Sequence, residues 1–129
     1  MKDTIQLLQF IICKEFSAQE KDSYHAEGIH SNFYAAQFPY QFEEHCVVTC
    51  WRKDKRFHKE VIEYETDYGT LVRTPPMDVE PITDSVLFRW HKHYFPKELV
   101  IEKPCLLTIR IVLDWKVYFE TYIMIEDLA

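Results

Sequence analysis

Glycine is nearly absent from this chain: Gly28 and Gly69 are the only two among 129 residues. This scarcity excludes collagen-like, linker-rich and low-complexity sequences. The chain also has no glycine-rich phosphate loop, no Gly-x-Ser-x-Gly turn and no His-Glu-x-x-His motif. Apolar residues at helical spacing, flanked by capping residues, are missing as well. We therefore predict a protein without a substantial helix, and an enzyme is the less favoured class.

An excess of basic residues and a long hydrophobic run are also missing. The formal net charge of -6 argues against binding to nucleic acid or to an anionic membrane surface. The apolar stretch at residues 5–13 is interrupted by Gln6 and Gln9, and it is too short to span a membrane. No small-residue cleavage site follows it. We therefore expect a cytoplasmic protein.

The cysteines form no close cluster that would indicate a disulfide framework or a metal site. In a reducing compartment, isolated cysteines are usually small core residues. We therefore expect reduced and buried thiols, and no catalytic cysteine, at Cys13, Cys46, Cys50 and Cys105.

The length suits a single domain over residues 1–129, which is large enough to bury a core without a cofactor or a disulfide. Aromatic residues make up 16% of the chain, a high share that favours strands. The strongest strand pattern lies at residues 104–126. Odd-numbered positions are apolar on both sides of Asp114-Trp115, which indicates two long strands joined by a tight turn.

Shorter strands are predicted along the rest of the chain, giving seven or eight in total. Gly28 lies inside the second and indicates a bulge or a close backbone approach. Residues 53–56 are predicted to be a charged hairpin tip, followed by a weakly alternating edge strand at residues 57–65. Pro75-Pro76 marks a second edge or a crossover. The pattern predicts an antiparallel β-sandwich of immunoglobulin-like or C2-like type, with a closed barrel as the alternative.

The order of the short motifs resembles a family of small bacterial proteins of unknown function that are predicted to be immunoglobulin-like or C2-like sandwiches. The matching pieces are residues 7–13, Glu27-Gly28-Ile29, Phe38-Pro39, residues 47–52, Tyr94-Phe95-Pro96 and the two final strands. The resemblance covers nearly the whole chain. The final turn departs from it, because Asp114-Trp115 stands where the family has an aspartate-glycine pair. The resemblance implies a fold and no activity.

Two histidines form the sharpest local pattern. His91 and His93 are two residues apart on a predicted strand, so both imidazoles project from one face, a spacing that zinc sites use. Further ligands would have to come from other strands. The candidates are His25, His30, His45 and His58. The alternative interpretation is that the two histidines lie on a solvated face beside Arg89 and Lys92.

Aromatic residues gather around one loop and at the final turn. Phe38, Tyr40 and Phe42 flank Pro39, and Trp115 lies at a hairpin tip, where it is predicted to be exposed. Exposed aromatic side chains are common in protein interfaces and on sugar-binding platforms. The alternative is that most of them close the ends of the sandwich as core residues.

These patterns favour a non-catalytic interaction module over an enzyme. We expect it to bind a second copy of itself, as a dimer, or another protein, because edge strands pair readily unless they are blunted. The candidate interaction residues are Trp115, Phe38, Tyr40 and Phe42. The competing hypothesis is a small-ligand or metal site, possibly catalytic, built on His91 and His93.

Overall fold

The computed structural model describes residues 4–83 and 85–128, which form strands and connecting segments. These residues form twelve strands, more than the seven or eight predicted, because residues 24–35 form two strands and short pairings add residues 40–41, 77–79 and 100–101. The described residues include no helix, and thus no helix that is long and apolar enough to cross a membrane. The strands are β1 (Gln6–Ala18), β2 (Tyr24–Ile29), β3 (Phe33–Ala35), β4 (Tyr40–Gln41), β5 (Cys46–Arg52), β6 (His58–Thr66), β7 (Leu71–Arg73), β8 (Met77–Val79), β9 (Phe88–Tyr94), β10 (Val100–Ile101), β11 (Cys105–Leu113) and β12 (Lys116–Asp127).

The strands form two large sheets and one short pair. The first sheet has the order β2-β1-β5-β9, and all its pairings are antiparallel. The second has the order β3-β12-β11-β6-β7, with β8 also on β6. Its pairings are antiparallel except for β3, which runs parallel to β12. Strands β4 and β10 pair separately. The structure is therefore all-β and mostly antiparallel, as the sequence predicts.

The predicted terminal hairpin is confirmed as β11 and β12, which pair along their whole shared length. Asp114 and Trp115 form its two-residue turn with φ angles of 53° and 67°. Positive φ at both central residues is the geometry of the favoured hairpin turn, which usually recruits glycine. The turn thus forms without the residue that it favours.

Two predictions about the middle of the chain are wrong. Strand β6 is no edge, because it pairs with β11 on one side and with β7 and β8 on the other. Residues 53–56 are no hairpin tip, because β5 and β6 belong to different sheets. Lys53 and Asp54 are buried in this crossover. The alternation of apolar and polar residues in β6 is weak because two polar residues, His58 and Glu60, face the interior, where each has hydrogen-bond partners. It does not indicate an exposed strand.

Both sheets contribute to one core. The first supplies Ile12, Val47 and Trp51, and the second supplies many more apolar side chains from β6, β11 and β12. These are Ile62, Tyr64, Leu107, Ile109, Ile111, Ile123 and Ile125. The odd-numbered residues of β11, and those of β12 from Phe119 to Ile125, therefore face the core, as the period of two predicts. Val117 is the exception and is exposed, because a bulge between Val117 and Phe119 shifts the register. The polar residues described next lie within this interior.

Candidate functional site

His91 and His93 share the inward face of β9. Their relative exposures are 8% and 1%, so the solvated-face interpretation is wrong. The two rings meet edge to face with their centroids 5.6 Å apart. Alternation along β9 accounts for this placement, because Phe88 and Tyr94 point outward and are exposed. The two histidines are thus brought together as predicted, in the core and not on the surface.

The third member of the cluster is Glu60 of β6, which is fully buried. Its Oε1 lies 2.5 Å from Nδ1 of His91 and 2.9 Å from Nε2 of His93. Strand alternation places Glu60 on the face of Ile62 and Tyr64, which looks across the core at β9. We call Glu60, His91 and His93 the Glu60 cluster.

The carboxylate of Glu60 is held in its charged form by these neighbours. Burial alone would raise the pKa of Glu60, but hydrogen bonds from His91 and His93 outweigh it and lower the pKa to about 2. The other oxygen, Oε2, accepts a hydrogen bond of 2.9 Å from Nε1 of Trp51 on β5. A buried carboxylate is tolerated only with such partners, and three side chains supply them here.

His91 has a second partner. Its Nε2 lies 3.1 Å from the backbone oxygen of Asp78 on β8. Both ring nitrogens of His91 therefore face oxygen atoms that can accept a hydrogen bond. His93 differs, because its Nδ1 is buried and has no hydrogen-bond partner.

Two buried hydroxyl groups near this region also lack partners. They are Oγ1 of Thr49 and the hydroxyl of Tyr64. Thr49 is the cross-strand neighbour of His91 in the β5–β9 ladder, so both side chains point into the same interior. Burial raises the pKa of Tyr64 far above its ordinary value, so this hydroxyl stays protonated. The interior around the Glu60 cluster therefore retains unused hydrogen-bonding capacity.

The other histidines considered as ligands lie elsewhere. His25 is exposed on β2, and His30 and His45 contact each other and the ring of Phe33. His58 is buried on β6, but its ring contacts Asp54 and Asp114. None of these four belongs to the Glu60 cluster, which is the one group of possible metal-binding residues found in the described ranges.

The predicted interaction residues fall into two separate places. Trp115 is 68% exposed, in agreement with its prediction as an exposed tip residue. Phe38 and Tyr40 are partly buried, while Phe42 is a core residue whose ring stacks on Phe95 at 4.4 Å. For Phe42 the structure thus gives the alternative interpretation, a core aromatic.

The two places lie at opposite ends of the long hairpin. Phe42 contacts Phe33, which pairs with Ile125 near the end of β12. Trp115 precedes the start of the same strand. Ile125 is nine positions after Lys116 along the strand, which corresponds to a distance of about 30 Å. Trp115 and the aromatic loop therefore cannot form one continuous patch.

Strand β12 has an open edge over most of its length. Strand β3 pairs with it only at Ile125–Asp127, so residues 116–124 have no strand on that side within the described chain. The N–H of Met124 donates to Oδ1 of Asn32, and the N–H of Leu128 donates to the backbone oxygen of Ala35. Because N–H groups alternate along a strand, those of Glu120 and Tyr122 point to the same open side.

A second open edge adjoins the first. Strand β2 pairs with β1 only from Cys13 onward, so the first half of β1 has a strand neighbour on one side alone. The rings of Phe10 and Phe119 lie 5.3 Å apart, and the hydroxyl of Tyr118 donates to the backbone oxygen of Ile5 at 3.5 Å. The two sheets thus leave unpaired backbone side by side on one flank of the molecule.

The cysteines are free and buried, as predicted. Two of them meet in the fold, since Cys13 and Cys46 are opposite each other on β1 and β5 with Sγ atoms 3.8 Å apart. Burial and the neighbouring thiol of Cys13 raise the pKa of Cys46 to about 12, and burial raises those of Cys50 and Cys105 to about 11. Thiols with such high pKa values are poor nucleophiles at neutral pH.

Glu60 is the functional candidate that sequence reasoning missed. The available signal was a carboxylate on the same alternating face as Ile62 and Tyr64, a costly position for a charge without partners.

Comparison of the chain with protein-family models, with curated proteins and with solved structures found no match.

Proposed function

We propose that this protein is a non-catalytic interaction module that self-associates by adding a strand along the open edge of β12. The observation that carries the proposal is that residues 116–124, beside the half-open β1, have no strand neighbour on this side within the described chain, and only the N–H of Met124 has a recorded partner there, Asn32. Unpaired N–H and C=O groups on a regular strand are a template for pairing with another chain.

Apart from a bulge between Val117 and Phe119, this edge has few of the devices that prevent such pairing. Residues 116–124 contain no proline, and the one lysine, Lys116, lies at the start. Glu120 could oppose pairing through its charge, but Oε2 of this residue accepts a hydrogen bond of 2.6 Å from Arg110 on β11. Val117 and Tyr122 are 57% and 66% exposed and supply apolar surface along the strand. Trp115 stands at the beginning of this edge and would be covered by the partner.

A dimer is the simplest product of this pairing. Two β12 edges can pair antiparallel around a twofold axis, because the same surface then serves both subunits. Pairing of the edge with a different protein uses the same backbone groups and is the second form of the proposal. Phe38 and Tyr40, at the far end of the hairpin, would be a separate contact in either case.

The test is a matched pair of substitutions at one position. Tyr122→Pro removes an N–H that points to the open side and leaves the N–H groups that pair with β11 in place. Tyr122→Thr changes the same side chain and keeps the N–H. We expect a concentration-dependent dimer in sedimentation velocity for the wild type and for Tyr122→Thr, and a monomer for Tyr122→Pro.

Two results would contradict self-association. One is a wild-type protein that stays monomeric at the highest soluble concentration. The other is a dimer that survives Tyr122→Pro while the variant retains the wild-type circular dichroism spectrum.

The type of β-sandwich and the cellular location of the protein are also proposals. We infer an immunoglobulin-like or C2-like sandwich, which is supported by two largely antiparallel sheets that share one core. We also propose a cytoplasmic location. It is supported by the four free thiols, because two of them, Cys13 and Cys46, lie close enough to form a disulfide in an oxidising compartment.

A further inference from the structure

The Glu60 cluster joins the two sheets through side chains that metal ions favour. Glu60 comes from β6 in the second sheet, and His91 and His93 come from β9 in the first. One carboxylate oxygen and two imidazole nitrogens lie within 4.8 Å of one another. We propose that these three residues bind one Zn²⁺ ion through Oε1 of Glu60, Nδ1 of His91 and Nε2 of His93.

The donor set fits this metal. Two imidazoles and one carboxylate are a recognised set of three protein ligands for zinc, which leaves a fourth position for water. The thiols stay outside the set, since Cys46 and Cys50 alternate with the residues of β5 that face the core. A nitrogen-rich site in an apolar interior disfavours Mg²⁺ and Ca²⁺, which require several oxygen ligands.

The outer contacts of the cluster match those of a zinc site. Metal-bound histidines usually donate their second ring N–H to a carbonyl or carboxylate, which fixes the ring. Nε2 of His91 does so to the backbone oxygen of Asp78 at 3.1 Å. The second oxygen of Glu60 is fixed in the same way by Nε1 of Trp51 at 2.9 Å. Two of the three ligands are therefore already oriented.

An unpartnered hydroxyl supplies a second, independent observation. Oγ1 of Thr49 is fully buried, has no hydrogen-bond partner and belongs to the direct cross-strand neighbour of His91. A water in the fourth position of the metal would give this hydroxyl a partner in a part of the core that otherwise offers none. Buried polar groups without partners are rare, and an ion or a water is their usual explanation.

Binding requires a small rearrangement and the loss of two hydrogen bonds. The ligand atoms now lie 2.5 and 2.9 Å apart, as hydrogen bonds require. Zinc bonds of about 2.0–2.1 Å in a tetrahedral arrangement need roughly 3.3 Å between ligand atoms. A ring nitrogen cannot bind the metal while it donates a hydrogen bond to Oε1 of Glu60, so the ion would replace both of these hydrogen bonds.

The burial of the site predicts slow exchange. The side chains of Glu60 and His93 have no exposed surface, and that of His91 is 9% exposed. The ion must therefore enter beside His91. Once bound, it would join the two sheets at their centre and raise the temperature of unfolding, because the unfolded chain lacks the preformed site.

The experiment uses the untagged full chain, freed of metal with a chelator and then titrated with ZnCl₂. Native mass spectrometry should detect one zinc ion per chain, and the temperature of unfolding should rise with zinc but not with an equal concentration of MgCl₂. His91→Ala, which removes the most accessible ligand, should lose both effects. His45→Ala removes a histidine outside the cluster and should keep both.

The wild-type result decides the proposal even if a variant fails to fold. A folded wild type that gains neither the zinc mass nor thermal stability would overturn it. Equal zinc binding by wild type and folded His91→Ala would also overturn it, since the ion would then lie elsewhere. Glu60→Gln, which preserves shape and removes the charge, serves as the second variant and should weaken binding at least tenfold. Neither outcome depends on whether the protein dimerises.

Discussion

Nδ1 of His58 on β6 lies 2.5 Å from Oδ2 of Asp114, which is in the turn between β11 and β12. On the other side of the ring, Nε2 lies 2.8 Å from Oδ1 of the buried Asp54. Both ring nitrogens face carboxylates, so the ring carries a positive charge. Burial alone would lower the pKa of His58, but the hydrogen bonds with Asp114 and Asp54 outweigh it and raise the pKa.

This contact predicts a loss of stability at rising pH. The pKa of His58 is higher in the folded chain than the ordinary value near 6.5, so its contribution is complete below that value and disappears as the pH rises through the folded pKa. The free energy of unfolding in urea should fall as the pH rises above about 6.5. His58→Gln should be less stable at pH 6 and should lose most of this slope. An unchanged slope in the variant would refute the assignment.

The turn itself predicts a stabilising substitution. Trp115 has a φ of 67° and is exposed, and a left-handed backbone costs a residue with a side chain roughly 1 kcal/mol that glycine does not lose. Trp115→Gly should therefore raise the free energy of unfolding by about 1 kcal/mol, while Trp115→Val should lower it. If Trp115 is also covered in the proposed dimer, Trp115→Gly should have two effects. It should make the monomer more stable and the dimer weaker. Lower stability of the glycine variant in urea would contradict the argument.

The Glu60 cluster predicts sensitivity to acid. The pKa of Glu60 is about 2 in the folded chain and near 4.5 ordinarily, so its stabilising effect is present above pH 4.5 and is lost as the pH falls toward 2. Glu60→Gln should lower stability at neutral pH by about 3 kcal/mol, because both oxygens of the buried carboxylate accept hydrogen bonds and the amide nitrogen of glutamine cannot accept one. The variant should then lose less stability than the wild type between these pH values.

Other carboxylates share this acid range. Asp54 and Asp114 also have lowered pKa values, because backbone N–H groups and His58 outweigh the effect of burial. They should account for the slope that remains in Glu60→Gln. The control is Glu98→Gln, which removes a carboxylate at an exposed position outside the Glu60 cluster. A Glu60→Gln curve parallel to the wild type would show that Glu60 does not titrate in this range.

Substitution by alanine is expected to lower stability by different amounts at the two glycines. Both have positive φ, 68° at Gly28 and 101° at Gly69. A Cβ at Gly28 would lie 2.9 Å from Cβ of Lys14, whereas nothing lies within 4 Å of one at Gly69. Gly69→Ala should therefore cost about 1 kcal/mol through backbone strain, and Gly28→Ala should cost more, about 2–3 kcal/mol. Equal losses in urea unfolding would show that the contact with Lys14 is relieved without cost.

The terminal hairpin could be predicted from sequence because everything that defines it is local. The apolar period of two continues through both strands and places the apolar residues of each on one face. The two-residue turn alone would pair odd-numbered with even-numbered residues, and the bulge that pairs Ile111 with Phe119 was not predicted. The close approach at Gly28 was also predictable, since few other reasons place glycine inside a strand. These features need no knowledge of the opposite sheet.

The Glu60 cluster could not be predicted, because its members are brought together only by the packing of two sheets. Glu60 and His91 are 31 positions apart in the chain and in different sheets. The same polar residues weakened the apparent alternation of β6 and led to its assignment as an edge. A buried polar residue and an exposed one look identical in sequence until the partner is known.

The parallel pairing of β3 with β12 has a consequence for how the chain folds as it is made. Met124 pairs with Asn32 across 92 positions of sequence, and β12 lies between β3 and β11 in its sheet. Strand β3 therefore leaves the ribosome long before its neighbour exists, and the second sheet cannot be completed until β12 has emerged. Contacts of such long sequence separation form slowly. During synthesis, the backbone edges of β3 and β11 that pair with β12 remain without a strand partner until β12 arrives.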